Sequence, residues 1–273
     1  MGGMNVAVDK MLAATKGLFL LVLTAVPSSS GRPMSAQVFE VGDMVFTAGQ
    51  LPQELRRSFG LPEGSIMESS GVKNEAYRWP GGILNYEMSN AVSSEDKTLI
   101  RNTLDQLETK LDSCIKFREA DSGFRLIVKA EGKCSSSVGY NGNGNKGSQG
   151  MSLDGGCMNP GTIEHEFYHA IGVWHTQSRT DRDDHVKINF ENIIDGDQHN
   201  FVKKSESEVS EFGLPYDFES VMHYSDKSNS KNGKRTIETI DPSKQDIIGK
   251  AQGVSEGDIL LVKKMYGCTD GKI

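Results

Sequence analysis

The segment His165-Glu166-Phe167-Tyr168-His169-Ala170-Ile171-Gly172-Val173-Trp174-His175 constrains this chain more than any other stretch. Two histidines four positions apart on a helix lie about 40° apart around the axis and about one turn apart along it, so their imidazoles converge on one point. Pro160 to Trp174 reads as helical, which puts His165 and His169 on one face. His175 cannot join them if the helix runs straight, because six residues carry it about 9 Å further along. The chain must therefore turn back, and Gly172 is the residue type that takes positive φ without strain at such a turn. Three imidazoles gathered at one ion, with a fourth position left for water, are the ligand set of a catalytic zinc. Glu166 follows the first ligand and is offset around the helix. It is placed to take a proton from the attacking water and to return it to a leaving amine. A plain buried helix with core histidines would need neither the glycine nor the third histidine.

The rest of the chain is read as the scaffold for that segment. At about 150 residues per domain, 273 residues allow one large domain or two small ones. Ile83 to Tyr86 and Phe124 to Val128 read as strands. Ser93 and Asp96 have capping-box spacing, and Leu99, Ile100, Leu104, Leu107 and Leu111 recur at helical spacing, so 94–112 is predicted as an amphipathic helix. Ser255 to Met265 is predicted as another, with Ile259, Leu260, Val262 and Met265 on its apolar side. Ser135 to Gly150, rich in Gly, Ser and Asn, reads as a surface loop; it has no Gly-Lys-Ser/Thr and opens no helix, so it is no phosphate cradle. Strands first and helices flanking them give an α+β class.

Two features place the chain in a compartment. Residues 18–26 are an apolar run preceded by Lys10 and Lys16 and followed by Pro27 and three serines, so 1–30 reads as a secretory signal peptide. The run is too short to span a bilayer, which takes about 20 apolar residues, and no later stretch approaches that length. A secreted, extracellular chain is expected, in which disulfides persist. Its four cysteines allow three pairings that spacing does not choose between. A net charge of −7 disfavours nucleic acid as a partner. Residues 31–69, broken by Pro33, Pro52 and Pro62, read as a loop-rich leader.

His-Glu-x-x-His-x-x-Gly-x-x-His is the metzincin signature. The continuation Gln177-Ser178-Arg179-Thr180-Asp181-Arg182-Asp183-Asp184 and the stretch Ser220-Val221-Met222-His223-Tyr224 resemble the astacin family in particular. So do Tyr77-Arg78-Trp79-Pro80-Gly81-Gly82 and the surroundings of Cys114 and Cys134, and the resemblance runs from about Tyr77 to Cys268. It implies a twisted mixed sheet plus helices in two subdomains across an active-site cleft. It also implies a secreted zinc metalloendopeptidase that cuts internal peptide bonds of protein substrates. His165, His169 and His175 would hold one Zn2+, Met222 would lie beneath it, and Tyr224 would be a further, displaceable ligand that helps stabilise the oxyanion. The implied disulfides are Cys114–Cys268 and Cys134–Cys157. Phe39-Glu40-Val41-Gly42-Asp43-Met44 resembles the family's propeptide motif, in which an aspartate occupies the zinc position that water needs. Asp43 is thereby expected to hold a latent zymogen, with 31–69 as propeptide, 70–273 as catalytic domain, and an activating protease cutting around Ser69 to Val72.

Three departures stand out. Thr176 occupies the place of the family's usual glutamate, which receives the new N-terminus of the mature enzyme. Glu68-Ser69-Ser70-Gly71 has no basic residue for a trypsin-like activator. Ile248-Gly249-Lys250-Ala251 stands where the family often has Ile-Gly-Gln-Arg, so a taste for acidic substrate residues is not expected. Thr176 keeps one alternative open: a catalytically inactive secreted zinc-binding protein. Cys268 lies close to the last residue, so no further domain is expected after it, and His185, His199 and His223 are expected to be structural or on the surface.

Overall fold

A computed structural model describes residues 38–47, 71–143, 147–204 and 210–268. The expected signal peptide, most of the leader and residues 69–70 lie outside the described residues. Seven strands form one sheet: β1 (Val38–Val41), β2 (Met44–Thr47), β3 (Ile83–Met88), β4 (Lys116–Glu119), β5 (Arg125–Lys129), β6 (Ser135–Ser137) and β7 (Ser148–Ser152). Their order is β1-β2-β6-β7-β5-β3-β4. The β3/β4, β3/β5 and β5/β7 pairs are parallel, and β6 runs antiparallel to β7. The sheet is thus mixed, as the α+β class requires.

One face of the sheet is apolar by alternation. Leu84, Tyr86, Phe117, Leu126, Val128 and Met151 are buried on it. Two helices cover these residues, α1 (Ser94–Lys110) and α2 (Pro160–Ala170). Ser93 caps α1 by accepting the Asp96 N–H, and Ile100, Leu104 and Leu107 form its buried stripe. Asn159 caps α2, with Pro160 in its first turn, where a missing N–H costs nothing. The Phe167 ring stands edge-on to Tyr86 and Phe117, with centroids 6.1 and 5.5 Å away, and this contact seats α2 against the sheet.

The second half is held by turns around a smaller core. An antiparallel pair of β8 (Val186–Ile188) and β9 (Ile237–Thr239) packs with Ile193, Phe201, Tyr216 and Ile248. Helix α3 (Glu256–Tyr266), opened by the Ser255–Asp258 capping box and closed by Gly267 in the left-handed region, returns Val262 and Met265 to the first core. The disulfide Cys114–Cys268 ties the end of α3 to the segment before β4, and Cys134–Cys157 joins the start of β6 to the approach to α2. These are the two pairings that the family resemblance implies.

The structure corrects the sequence reading in three places. Ser135 to Gly150 is not simply a surface loop: it supplies β6 and the first part of β7, and Ser135, Ser136 and Ser137 are buried. Backbone pairing between neighbouring strands takes small polar residues as readily as apolar ones when there is no room for bulk, which composition alone does not reveal. The active-site helix stops at Ala170, short of Trp174, because the chain turns at Gly172. Within the leader, read as loop-rich, residues 38–47 form a hairpin of β1 and β2 that extends the sheet.

Candidate active site and metal centre

Helix α2 carries His165, Glu166 and His169, and its last turn is built to bring His175 back. The Gly172 N–H donates to His169 O at 2.8 Å, and the Val173 N–H donates to Tyr168 O at 2.9 Å. Gly172 has φ +106°, and a Cβ there would lie 2.6 Å from Val72 Cγ2. Both the backbone conformation and the space therefore require glycine. Gly172→Ala is expected to cost roughly 1–3 kcal/mol of stability, a Tm loss of several degrees in a thermal melt. An unchanged melt would show that Val72 and the turn relax around the methyl group.

His169 Nδ1 lies 2.8 Å from Val173 O, and His165 Nδ1 lies 2.8 Å from Val221 O. A carbonyl accepts, so each Nδ1 carries the proton and each Nε2 keeps its lone pair. These lone pairs face one another: His169 Nε2 and His175 Nε2 are 3.2 Å apart. Asp43 closes the group, with Oδ2 3.2 Å from His165 Nε2 and Oδ1 3.1 Å from His175 Nε2 and 3.7 Å from His169 Nε2. All four ligand atoms lie within 4.8 Å of one another. Acceptor atoms crowded this closely repel unless a cation sits among them, and three imidazoles with a carboxylate match the donor preference of zinc. The residues present thus fit a zinc ion.

The remaining expected residues gather at the same place. Glu166 is buried, with Oε2 lacking a hydrogen-bond partner among the described residues. With Asp43 in place, burial, opposed by His165 and aided by Asp43, pushes the Glu166 carboxyl up to about 8. Met222 is fully buried, and its carbonyl accepts the Thr176 N–H at 3.0 Å. The Tyr224 ring lies 4.4 Å from the His175 ring, and burial holds its phenol well above 10, so it stays a donor. Thr176, the residue in place of the family glutamate, donates through Oγ1 to Ser220 Oγ, which in turn donates to Asp258 at 2.6 Å. It therefore joins the segment of the third histidine to the Met222 turn through its hydroxyl and its N–H.

The other histidines lie elsewhere. His223 is buried, accepts from Tyr216 Oη at Nε2 and donates to Tyr224 O from Nδ1; burial pushes it down to about 4, so it is a neutral structural group. His185 stacks on Tyr216, and His199 Nδ1 meets Gly196 O. Lys250 is exposed, 3.8 Å from Asp246. Sequence reasoning missed Gln177, whose Oε1 accepts the Tyr224 N–H at 3.1 Å, and the carbonyls of Val173 and Val221 that orient the histidines. A backbone carbonyl leaves no sequence signal. Gln177 had one, since it stands two residues after His175 in the stretch that resembles the family.

Three imidazoles on a helix and its returning turn, with a buried carboxylate beside them and a core on either side, define the metal centre of a zincin-type hydrolase. The chain belongs to the astacin family of peptidases, whose model it matches over residues 71–267. It is 38% identical over 214 residues to zinc metalloproteinase nas-6 of Caenorhabditis elegans, covering 78% of this chain and 60% of that protein. It is 35% identical to human meprin A subunit beta, covering 79% of this chain and 31% of that one. Its structure is similar to that of high choriolytic enzyme 1, a hatching-enzyme zinc protease of the medaka Oryzias latipes, with a TM-score of 0.64 and 32% identity, covering 71% of this chain and 96% of that one. The chain thus spans under two thirds of the length of nas-6 and under a third of meprin A beta.

Proposed function

We propose that this chain is a secreted zinc metalloendopeptidase that its own leader keeps latent, with 1–30 as signal peptide, 31–69 as propeptide and 70–273 as catalytic domain. The observation that carries the latency is the position of Asp43, whose carboxylate meets the Nε2 atoms of all three histidines. A second contact supports it: β2 lies along β6, where the Ser136 N–H donates to Asp43 O at 2.7 Å. The leader thereby uses the backbone edge that a peptide substrate would need.

In the working enzyme His165, His169 and His175 hold the zinc ion. When bound, zinc polarises the scissile carbonyl and makes water a nucleophile near neutral pH. Glu166 takes the proton from the attacking water and passes it to the departing amine nitrogen. Tyr224, kept protonated, donates to the carbonyl oxygen as charge gathers there and serves as a displaceable ligand in the resting site. Met222 closes the floor as an apolar group that competes for no ligand position. The activating cut is expected around Ser69 to Val72, and the burial of Val72 with the bridges from Gly71 to Val173 and Ser210 supports its upstream end.

The test compares hydrolysis of a quenched peptide by the full chain and by chain trimmed to begin at Ser70, each with and without a zinc chelator. The full chain is expected to be silent and the trimmed chain active. Chelation should abolish that activity and added zinc should restore it. Folded, zinc-loaded, trimmed protein that cuts nothing would instead support the inactive zinc-binding protein.

A further inference from the structure

One buried polar group beside the cleft has no task in the chemistry above. Asn200 sits in the short turn Asp197–Phe201, next to Phe201, whose ring is fully buried in the second core and meets Tyr224 edge-on at 5.7 Å. Its side chain is 5% exposed, and Oδ1 is buried with no hydrogen-bond partner among the described residues. A buried carbonyl oxygen without a donor is costly, and its presence in a native site calls for a use.

The oxygen faces the leader. A Cβ built on Gly42 would lie 3.1 Å from Asn200 Oδ1 and 3.0 Å from Tyr224 Oη. The amide and the phenol therefore flank the leader backbone one residue before Asp43. Gly42 has φ +63° and no side chain, so the chain passes close to Asn200 without offering its oxygen an N–H. That place admits backbone and little else.

We propose that Asn200 is a substrate-binding residue whose Oδ1 accepts a main-chain N–H of the peptide that replaces the leader beside Tyr224. The inference rests on the peptidase function proposed above. Contact with the main chain makes this recognition independent of substrate sequence. It also favours substrate over leader, since the leader leaves the acceptor empty and a regular peptide fills it. Asn200 would then hold the peptide in line with the Tyr224 hydroxyl, at a point set by the Phe201 anchor.

The experiment is a coupling measurement on the trimmed, zinc-loaded enzyme. A peptide substrate is compared with analogues in which one N–H at a time, other than that of the scissile amide, is replaced by an ester oxygen. In the wild type one position is expected to lower kcat/KM about tenfold, the loss of a single hydrogen bond. Asn200→Leu, which keeps shape and loses the acceptor, is expected to cut the unmodified peptide about tenfold more slowly and to lose nothing further at that same position. The other positions should affect both enzymes equally, with zinc content and melting temperature unchanged. Asn200→Ser, too short to reach the groove, runs the same cycle if the leucine variant does not fold. The proposal is overturned if no non-scissile position costs the wild type anything, if the losses multiply at every position, or if the variants cut the peptide at the wild-type rate. Wild-type cleavage of the unmodified peptide tests the peptidase function separately, so the two failures are distinguishable.

Discussion

Glu166→Ala in the trimmed chain is expected to remove peptide hydrolysis by roughly 10²–10⁴-fold or more while leaving the bound zinc in place. The two halves of that result follow from one piece of geometry. The metal group comprises His165, His169 and His175 with Asp43, which trimming removes, and Glu166 is not part of it. Losing the carboxylate therefore removes proton transfer without removing a ligand. The fold should tolerate the change, because Glu166 is buried and its Oε2 meets no donor among the described residues, so no bond is broken there. Zinc content by elemental analysis and kcat on a quenched peptide would be measured together. A variant that keeps a substantial rate would transfer the base to another group, and one that loses zinc would make Glu166 part of the metal site.

Asp43→Ala in the full chain should have the opposite effect and give activity without cleavage. The aspartate is a partly buried anion held against three imidazoles, and removing one partner from such a buried arrangement typically costs about 3–5 kcal/mol. That converts to a rise of roughly 10²–10⁴-fold in the uncut chain's rate. The gain should stop short of the trimmed enzyme, because β2 still pairs with β6 and still occupies the groove. Uncut Asp43→Ala protein as silent as the wild type, alongside an active trimmed chain, would assign latency to the strand pairing and not to the carboxylate.

Much of this site was legible in the sequence because it is local. His165, Glu166 and His169 share one helix, and helical geometry alone orders them around a common point. Gly172 announced the turn because positive φ restricts the residue type. Helices α1 and α3 were legible through their caps and apolar stripes, and both lie within two residues of their expected ends. β6 and β7 were not, since three serines and a glycine-rich stretch become strands only because a neighbouring backbone pairs with them. β8, β9 and the small core between them were equally silent, as short strands carry too few residues to set a period.

By itself the sequence marked the candidates: residue type and spacing along one helix and its returning turn single out His165, Glu166, His169 and His175, and the family resemblance adds Asp43 as a candidate block. Tertiary structure alone decided how those groups are aimed. The carbonyls of Val173 and Val221 set the histidine tautomers, Thr176 reaches Asp258 through Ser220, and Asn200 meets Gly42 across the cleft. The Val221, Ser220 and Gly42 contacts join segments far apart along the chain, which only the fold brings within reach, whereas the Val173 carbonyl, four residues from His169, is aimed by the turn at Gly172.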